Sequence, residues 1–299
     1  MPGLTLLVDS SSLIYRAYFA LPDSIKAPDG TVVNAAYGFL SMLERLVSDL
    51  KPTRLACCLD AEWRPEWRVE LLPEYKTHRV ALAAEQIDDW VEPQTEIVLR
   101  VLKLARVAAV GAPGCEAEDV IATLARRERG NVAVVSGDRD LFQMVRDPRV
   151  WVLYPKRGVS DLVRVDEAEI RRRYGIAGDR YLDFAVLRGD PSDGLPGVPG
   201  IGEKTASLLV AKHGSLEEIV GASAGARSGP LAKVASHVDY IERAEKVVRL
   251  KGDCRVGDPD LTVGRPPSPS LKKVARDYGL SGPVDRLVAA LQRNPAPRA

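Results

Sequence analysis

The chain has 299 residues, 45% of them hydrophobic and 28% charged, with a formal net charge of +1. It is long enough to bury a substantial core, as one large domain or as a catalytic domain with a smaller satellite. No apolar run approaches the roughly 20 residues of a membrane-spanning helix, and Met1-Pro2-Gly3 leads into an apolar strand without a signal-peptide pattern, so a soluble, cytoplasmic protein is expected.

Taken in order, Leu4 to Val8, Leu55 to Leu59, Val132 to Ser136 and Val150 to Tyr154 are short apolar runs bounded by Gly, Pro, Asp or Asn, and they read as buried strands. Ala36 to Leu50, Gln94 to Arg106 and Ala117 to Arg129 have helical periodicity. Strand and helix thus alternate over the first 160 or so residues, which predicts a parallel sheet covered by helices. Ala61 to Trp90 is a long, mixed excursion, of a length that in compact domains is functional or disordered, and its three large aromatics, Trp63, Trp67 and Tyr75, argue against plain disorder. Beyond Val165 the chain turns helical, over Asp166 to Tyr174, Arg180 to Arg188, Lys204 to His213 and Val238 to Leu250. Ala222 to Pro230 reads as a flexible loop, Arg265 to Pro269 as a linker before a last amphipathic piece, and Asn294 to Ala299 as a loose tail.

The four cysteines show no Cys-x-x-Cys pairing and the three histidines complete no zinc pattern; Cys57 and Cys58 read as reduced thiols in a strand. The near-zero net charge hides an asymmetry. Residues 200–299 carry 16 basic and 11 acidic side chains, whereas residues 1–199 carry 26 and 30. An acidic first part suits metal binding and a basic second part suits phosphate, although ordinary solvated charge would look the same.

In parallel sheets ligands bind beyond the carboxyl ends of the strands, and Asp9, Asp60 and the Asp138/Asp140 pair each follow a strand directly. Glu116, Glu118 and Asp119 occupy the first turn of a helix whose Val120, Ile121 and Leu124 form a buried stripe. Acids there also complement the helix dipole, so that segment alone fits either reading. Carboxylates gathered at one sheet edge repel one another unless a cation sits among them, and their oxygens suit Mg²⁺ or Mn²⁺. Two such ions roughly 3.5 to 4 Å apart activate water and relieve charge in phosphodiester cleavage. The acids suffice for two sites, with a weaker third.

Gly189-Asp190-Pro191-Ser192-Asp193 adds two acids and leads into a turn with glycines at 197, 200 and 202, followed by Lys204 and Thr205 at a helix start. A P-loop is rejected, since Glu203 intrudes before Lys204-Thr205 and no strand precedes the loop. The segment reads as a helix-hairpin-helix gripping duplex backbone, against a plain interhelical turn. Tyr75, Lys76 and Arg79 combine an aromatic with two cations, suited to stacking a base and drawing in phosphate, although solvated charge explains the cations alone. Arg16, on the helix after the first strand, could reach a scissile phosphate or serve as a surface residue.

These motifs, in this order and over nearly the whole chain, resemble the flap endonuclease family, specifically the 5′ nuclease domain of bacterial DNA polymerase I and its free-standing relatives. The resemblance implies an α/β fold: a PIN-like parallel sheet with flanking helices, a helical arch and a helix-hairpin-helix region. The nuclease core would cover residues 1–180 with the arch at about 61–90. A helical DNA-binding region would cover 181–299, with the hairpin at about 190–214 and C-terminal helices. It further implies Asp9, Asp60, Glu116, Glu118, Asp119, Asp138, Asp140, Asp190 and Asp193 as ligands of two or three Mg²⁺ or Mn²⁺ ions. Arg16 and Lys76 would polarise the scissile phosphate, Tyr75 would stack an unpaired base and Arg79 would line the arch. Gly197, Gly200, Gly202, Lys204 and Thr205 would hold duplex, with K⁺ on carbonyls near Gly197 and Ile201.

The implied activity is 5′ flap endonuclease and 5′ to 3′ exonuclease action by a monomer on flapped, nicked or 5′-ended DNA and on RNA-DNA hybrid, in replication-primer processing and repair near the nucleoid. Three features depart from the family pattern: Glu118 stands where Asp is usual, Gly194 replaces an Asn, and the arch carries Trp63 and Trp67. A PIN-type single-strand ribonuclease would share the acids but leave the hairpin unexplained. A non-catalytic DNA-binding scaffold would use them for structural ions.

Overall fold

The computed structural model describes residues 3–77 and 87–293, so Arg79 and the middle of the expected arch lie outside the described residues. Six strands, Thr5–Asp9 (β1), Arg54–Cys58 (β2), Ala108–Val110 (β3), Val132–Val135 (β4), Val150–Pro155 (β5) and Leu162–Val165 (β6), form one sheet in the order β3-β2-β1-β4-β5-β6. β1 lies at the centre with every residue buried, as a strand covered on both faces must be.

Alternation along the strands divides the core in two. Leu7, Ala56, Cys58, Val132 and Val134 face one cluster, while Leu6, Val8, Leu55, Cys57, Ala133 and Val135 face the other. The second face is covered by Ser10–Ala20 (α1), Asn34–Leu50 (α2) and Ile87–Ala105 (α4). The first is covered by Ala117–Arg127 (α5); the helical half joins the same core cluster and meets the 3-10 turn Asp140–Met144 and Glu66–Leu71 (α3), the helix of the excursion after β2.

The sheet is mixed where a wholly parallel one was expected. β5 and β6 pair antiparallel because only the turn over 156–161 joins them, far too short for the crossover that parallel pairing needs. β6 and the three-residue β3 were not expected, since neither carries a long apolar run.

The helical half comprises Glu167–Tyr174 (α6), Tyr181–Arg188 (α7), Glu203–His213 (α8), Leu216–Ser223 (α9), Gly229–Ala235 (α10) and Val238–Val248 (α11). The loop expected over Ala222 to Pro230 is narrower, because α9 runs through Ser223 and α10 begins at Gly229. After α11 a strap returns along α5. Lys251 N–H donates to Asp119, Cys254 N–H donates to the Thr123 hydroxyl, and the Gly257 carbonyl accepts from Arg127. A disulfide joins Cys254 to Cys115, 139 residues earlier, while Cys57 and Cys58 are buried free thiols. The final helices, Leu271–Asp277 (α12) and Ser281–Arg293 (α13), pack on α4 and α2 respectively. No helix among the described residues is long and apolar enough to cross a membrane.

Candidate active site

The carboxyl ends of β1, β2 and β4 bring the first acids together, because these strands are parallel neighbours in register. Asp9 ends β1 and caps α1, accepting the Ser12 N–H at 3.0 Å. Asp60 follows β2; its carboxylate accepts the Ala117 N–H at 2.7 Å and so reaches the start of α5. Ser136 follows β4, donates its hydroxyl to Asp9 Oδ2 at 2.5 Å and accepts the Asp138 N–H at 2.9 Å. Asp138 Oδ1 in turn accepts the Asp140 N–H at 2.8 Å.

Glu116, Glu118 and Asp119 open α5, where Glu116 and Asp119 form a reciprocal capping box. Glu118 hydrogen-bonds with Asp138, linking the helix to the β4 end. Asp190 and Asp193 arrive from the helical half on a 3-10 turn, and their charges are felt at Asp140. Asp190 also accepts the N–H and hydroxyl of Ser192.

The electrostatics are those of crowded, partly dehydrated acids. Burial, then the charge of Asp60, pushes Asp9 up to about 7. Burial and Glu118 raise Asp138 well above the carboxylate range, and burial and Asp193 do the same for Asp140. Burial works to raise Glu118 too, but Lys76 and Arg68 outweigh it and hold that group down at about 2. Among the described residues no three His, Cys, Asp or Glu side chains stand as a ready-made coordination set. The acids instead crowd one another, Asp138 against Glu118, and burial with that repulsion favours a retained proton on Asp138. The donors are all hard carboxylate oxygens whose repulsion a divalent cation would relieve, so in chemistry and charge they fit Mg²⁺ or Mn²⁺ once that proton leaves.

Two cations border the acids. Lys76 is 5% exposed and its Nζ lies 2.8 Å from Glu116 Oε2. Arg16 lies over Gly137, where a Cβ would sit 3.1 Å from its Nη2, and its Nε is buried without a hydrogen-bond partner in the structure. A buried guanidinium donor left unpaired beside acids is suited to an incoming anion.

Tyr75 is placed differently from expectation. Its ring is 2% exposed and its hydroxyl donates to Glu116 Oε2 at 2.9 Å, so it orients an acid and has no free face for a base. Lys76 takes a left-handed φ of +51°, and its N–H donates to the distant Asp193 carbonyl, in the conformation that turns Tyr75 inward. Trp67 is likewise engaged, donating Nε1–H to the Gly114 carbonyl with the Lys251 ammonium 4.2 Å from its ring.

Arg68 is the principal residue that the sequence reading missed. It is fully buried and forms ion pairs with Glu116 at 3.0 Å, Glu118 at 3.7 Å and Asp119 at 2.8 Å. No spacing announces it, because its partners lie some 50 positions away; the available signal was that buried acids need an internal counter-charge.

Away from the acids, α7, a glycine turn and α8 form the expected helical hairpin. Gly197 packs so tightly that a Cβ would lie 2.4 Å from the Arg188 carbonyl, and its N–H donates to the Tyr240 hydroxyl. Gly202 caps α8 with open space around it, and Lys204 is exposed in the first turn beside Thr205. The Gly200 carbonyl accepts from the Lys233 ammonium at 3.0 Å.

Comparison with known proteins agrees with this architecture. Residues 4–175 match the family model described as 5′-3′ exonuclease, N-terminal resolvase-like domain, and residues 176–267 match its C-terminal SAM fold. A 5′-3′ exonuclease of Streptomyces coelicolor is 48% identical, with 96% of this chain and 99% of that one aligned. DNA polymerase I of Mycobacterium bovis is 43% identical over 72% of this chain and 24% of its own length. The bacteriophage T5 D15 flap endonuclease, solved with DNA and metal ions, superposes with a TM-score of 0.69 at 16% identity, over 97% of this chain and 98% of that one. On the two family models and the near full-length relative, the chain belongs to the bacterial 5′-3′ exonuclease family.

Proposed function

We propose that this nuclease is a structure-specific 5′ flap endonuclease and 5′ to 3′ exonuclease that hydrolyses phosphodiesters in DNA and RNA primers during replication and repair. The observation that carries the reading is the electrostatically linked group Asp9, Asp60, Glu118, Asp138, Asp140 and Asp193 with the unpartnered Arg16 Nε at its border. The partner would be flapped, nicked or 5′-ended duplex DNA, or RNA-DNA hybrid, bound in the cytoplasm by a monomer.

Two ions, Mg²⁺ or Mn²⁺, would be held by Asp9, Asp60, Glu116, Glu118, Asp138, Asp140, Asp190 and Asp193. When bound they supply an acidified water and offset charge in the transition state. The chain's own groups do the rest. Arg16 would bind the scissile phosphate through its guanidinium, and Lys76 would turn from Glu116 to the same phosphate as the acids change partners. Ser136 keeps Asp9 and Asp138 at a common edge.

The functional division would fall near residue 180, with the acid-bearing core before it and the duplex grip after it. Gly202, Lys204 and Thr205 would contact duplex phosphates through N–H groups and charge, without reading bases, while Gly197 and Gly200 shape the turn. K⁺ would sit on carbonyls near Gly197 and Ile201, in a turn to which the Lys233 ammonium already lends one positive charge.

The test is cleavage of a 5′-flap duplex labelled at both ends, with Mg²⁺, Mn²⁺ or chelator, resolved by product length. A cut near the flap junction that chelator abolishes supports the reading, and mononucleotide products would add exonuclease action. Binding without cleavage under either metal would overturn it in favour of a scaffold.

A further inference from the structure

Asp119 differs from Glu116, which is also ringed by donors, in having no mobile one among them: Glu116 accepts from the flexible Lys76 ammonium, whereas every donor to Asp119 is a backbone N–H or the fixed Arg68 fork. Its Oδ1 accepts from Arg68 Nη2 at 2.8 Å and from the Lys251 N–H at 2.9 Å. Its Oδ2 accepts from Arg68 Nη1 at 2.9 Å and from the Glu116 N–H at 3.2 Å. A carboxylate offers about four lone-pair sites, so these four donors saturate it. It is 0% exposed, so no water or ion approaches it from outside.

Arg68 is equally committed. Its fork grips Asp119 with two parallel bonds, its Nη1 lies 3.0 Å from Glu116 Oε2 and its Nη2 3.7 Å from Glu118 Oε1. The remaining nitrogen, Nε, donates to the Val247 carbonyl at 3.0 Å, in the last turn of α11, where the helix dipole is negative. One planar cation therefore joins α3 at the arch base, the first turn of α5 and the end of α11. No other geometry of a single side chain would serve all three, because only the guanidinium presents donors in a rigid fork with a third to the side.

We infer that Asp119 is not a metal ligand but the anchor of Arg68, and that Arg68 is a positioning residue that aims Glu116 and Glu118 for the metal centre. The inference rests on the reading of the acid cluster as a metal site. Arg68 acts as an internal cation on the inner side of the cluster, confining divalent ions to the side formed by Asp9, Asp60, Asp138 and Asp140. It also makes the aim of the acids depend on α3, so the arch base and the acids move as one unit.

The experiment measures Mn²⁺ stoichiometry by electron paramagnetic resonance, flap cleavage as separate kcat and KM, and thermal midpoint. It compares Asp119→Asn, Arg68→Lys, the pair Arg68→Met with Asp119→Leu, and Asp138→Asn. Asp119→Asn is expected to bind as many Mn²⁺ ions as the unaltered chain while kcat falls about 10- to 100-fold, the usual effect of losing a group that orients ligands, with KM for DNA unchanged. Arg68→Lys is expected to match it, because an ammonium cannot span both Asp119 oxygens and Val247. The apolar pair removes both charges at once and restores packing, so its midpoint recovers while kcat stays low.

Loss of one Mn²⁺ equivalent in Asp119→Asn would make Asp119 a ligand and overturn the inference. So would unaltered kcat in that variant, or recovery of kcat together with the midpoint in the apolar pair, which would mean that the ion pair only holds the fold. If Asp138→Asn changes neither Mn²⁺ binding nor kcat, the metal-site reading itself fails, and that outcome is separate from anything Asp119 does.

Discussion

Gly194 presses on the carbonyl of Glu74 so closely that a Cβ at position 194 would lie 2.4 Å from that oxygen, and its φ is +71°. This contact seats the turn bearing Asp193 against the arch base, where Lys76 N–H meets the Asp193 carbonyl at 2.8 Å. The glycine that departs from the expected Asn thus has a steric reason. Gly194→Asn should cost about 2 kcal/mol or more, from the left-handed backbone and the displaced carbonyl together. Urea unfolding checks this, and an unchanged midpoint would show that the junction opens freely.

Ser136 holds Asp9 by its hydroxyl and Asp138 by its oxygen. Ser136→Ala removes both bonds while leaving every acid in place. Cleavage should fall about 10-fold or more, as when the support of a metal ligand is lost, with flap binding unchanged. Single-turnover rates beside gel-shift affinities decide it.

Asp9 is raised from 3.8 to about 7, first by burial and then by Asp60, and Asp138 and Asp140 are raised in the same sense. The folded chain therefore binds these protons more tightly than the unfolded chain. The resulting stability is fully present below the unfolded values and is lost as pH rises through the folded ones. In chelator the protein should be less stable at pH 8 than at pH 5 by a few kcal/mol, since each tenfold gain in proton affinity on folding is worth about 1.4 kcal/mol. Mn²⁺ added at pH 8 should reverse the loss. Denaturant curves showing stability that rises with pH in chelator would contradict this account of the buried acids.

The Cys115–Cys254 bond closes a loop of 139 residues and ties the strap to the residue before Glu116. In the chain-entropy model such a loop is worth about 5 kcal/mol. Reductant should lower the thermal midpoint. The unfolded chain should show two reactive thiols without reductant and four with it, while the native protein shows none because burial pushes the Cys57 thiol up to about 12. Four thiols in the unreduced, unfolded chain would show that the bond does not form.

Lys204 stands exposed in the first turn of α8. Lys204→Ala should weaken duplex binding equally for all sequences and lower the salt slope by about 1. Affinity measured across a salt series on two unrelated duplexes checks both effects.

Much of the core was legible because it is encoded locally. Leu4 to Val8 and Val132 to Ser136 are apolar runs that stop at an acid or a glycine, and a strand so bounded delivers its last polar residue to the sheet edge. The β1, β2 and β4 acids therefore met as their positions implied. The glycine turn and α8 were legible for a similar reason, since the turn needs φ above zero at Gly197 and Gly200.

What the tertiary structure alone decided concerns partners far apart in the chain. Tyr75 has the composition of a base-stacking aromatic, yet its hydroxyl finds Glu116 some 41 residues on and its ring is buried. Asp119 has the spacing of a ligand, yet Arg68, Lys251 and the Glu116 N–H saturate it. Local periodicity and turn chemistry, which depend on neighbours in sequence, determined β1, β2, β4 and β5, most of the helices and the edge where the acids gather, while the short β3 and β6 came only with pairing. Which acids stay open to a cation and which are neutralised from within depends on the positive charges and N–H groups that folding brings beside them, and only the folded chain settles that.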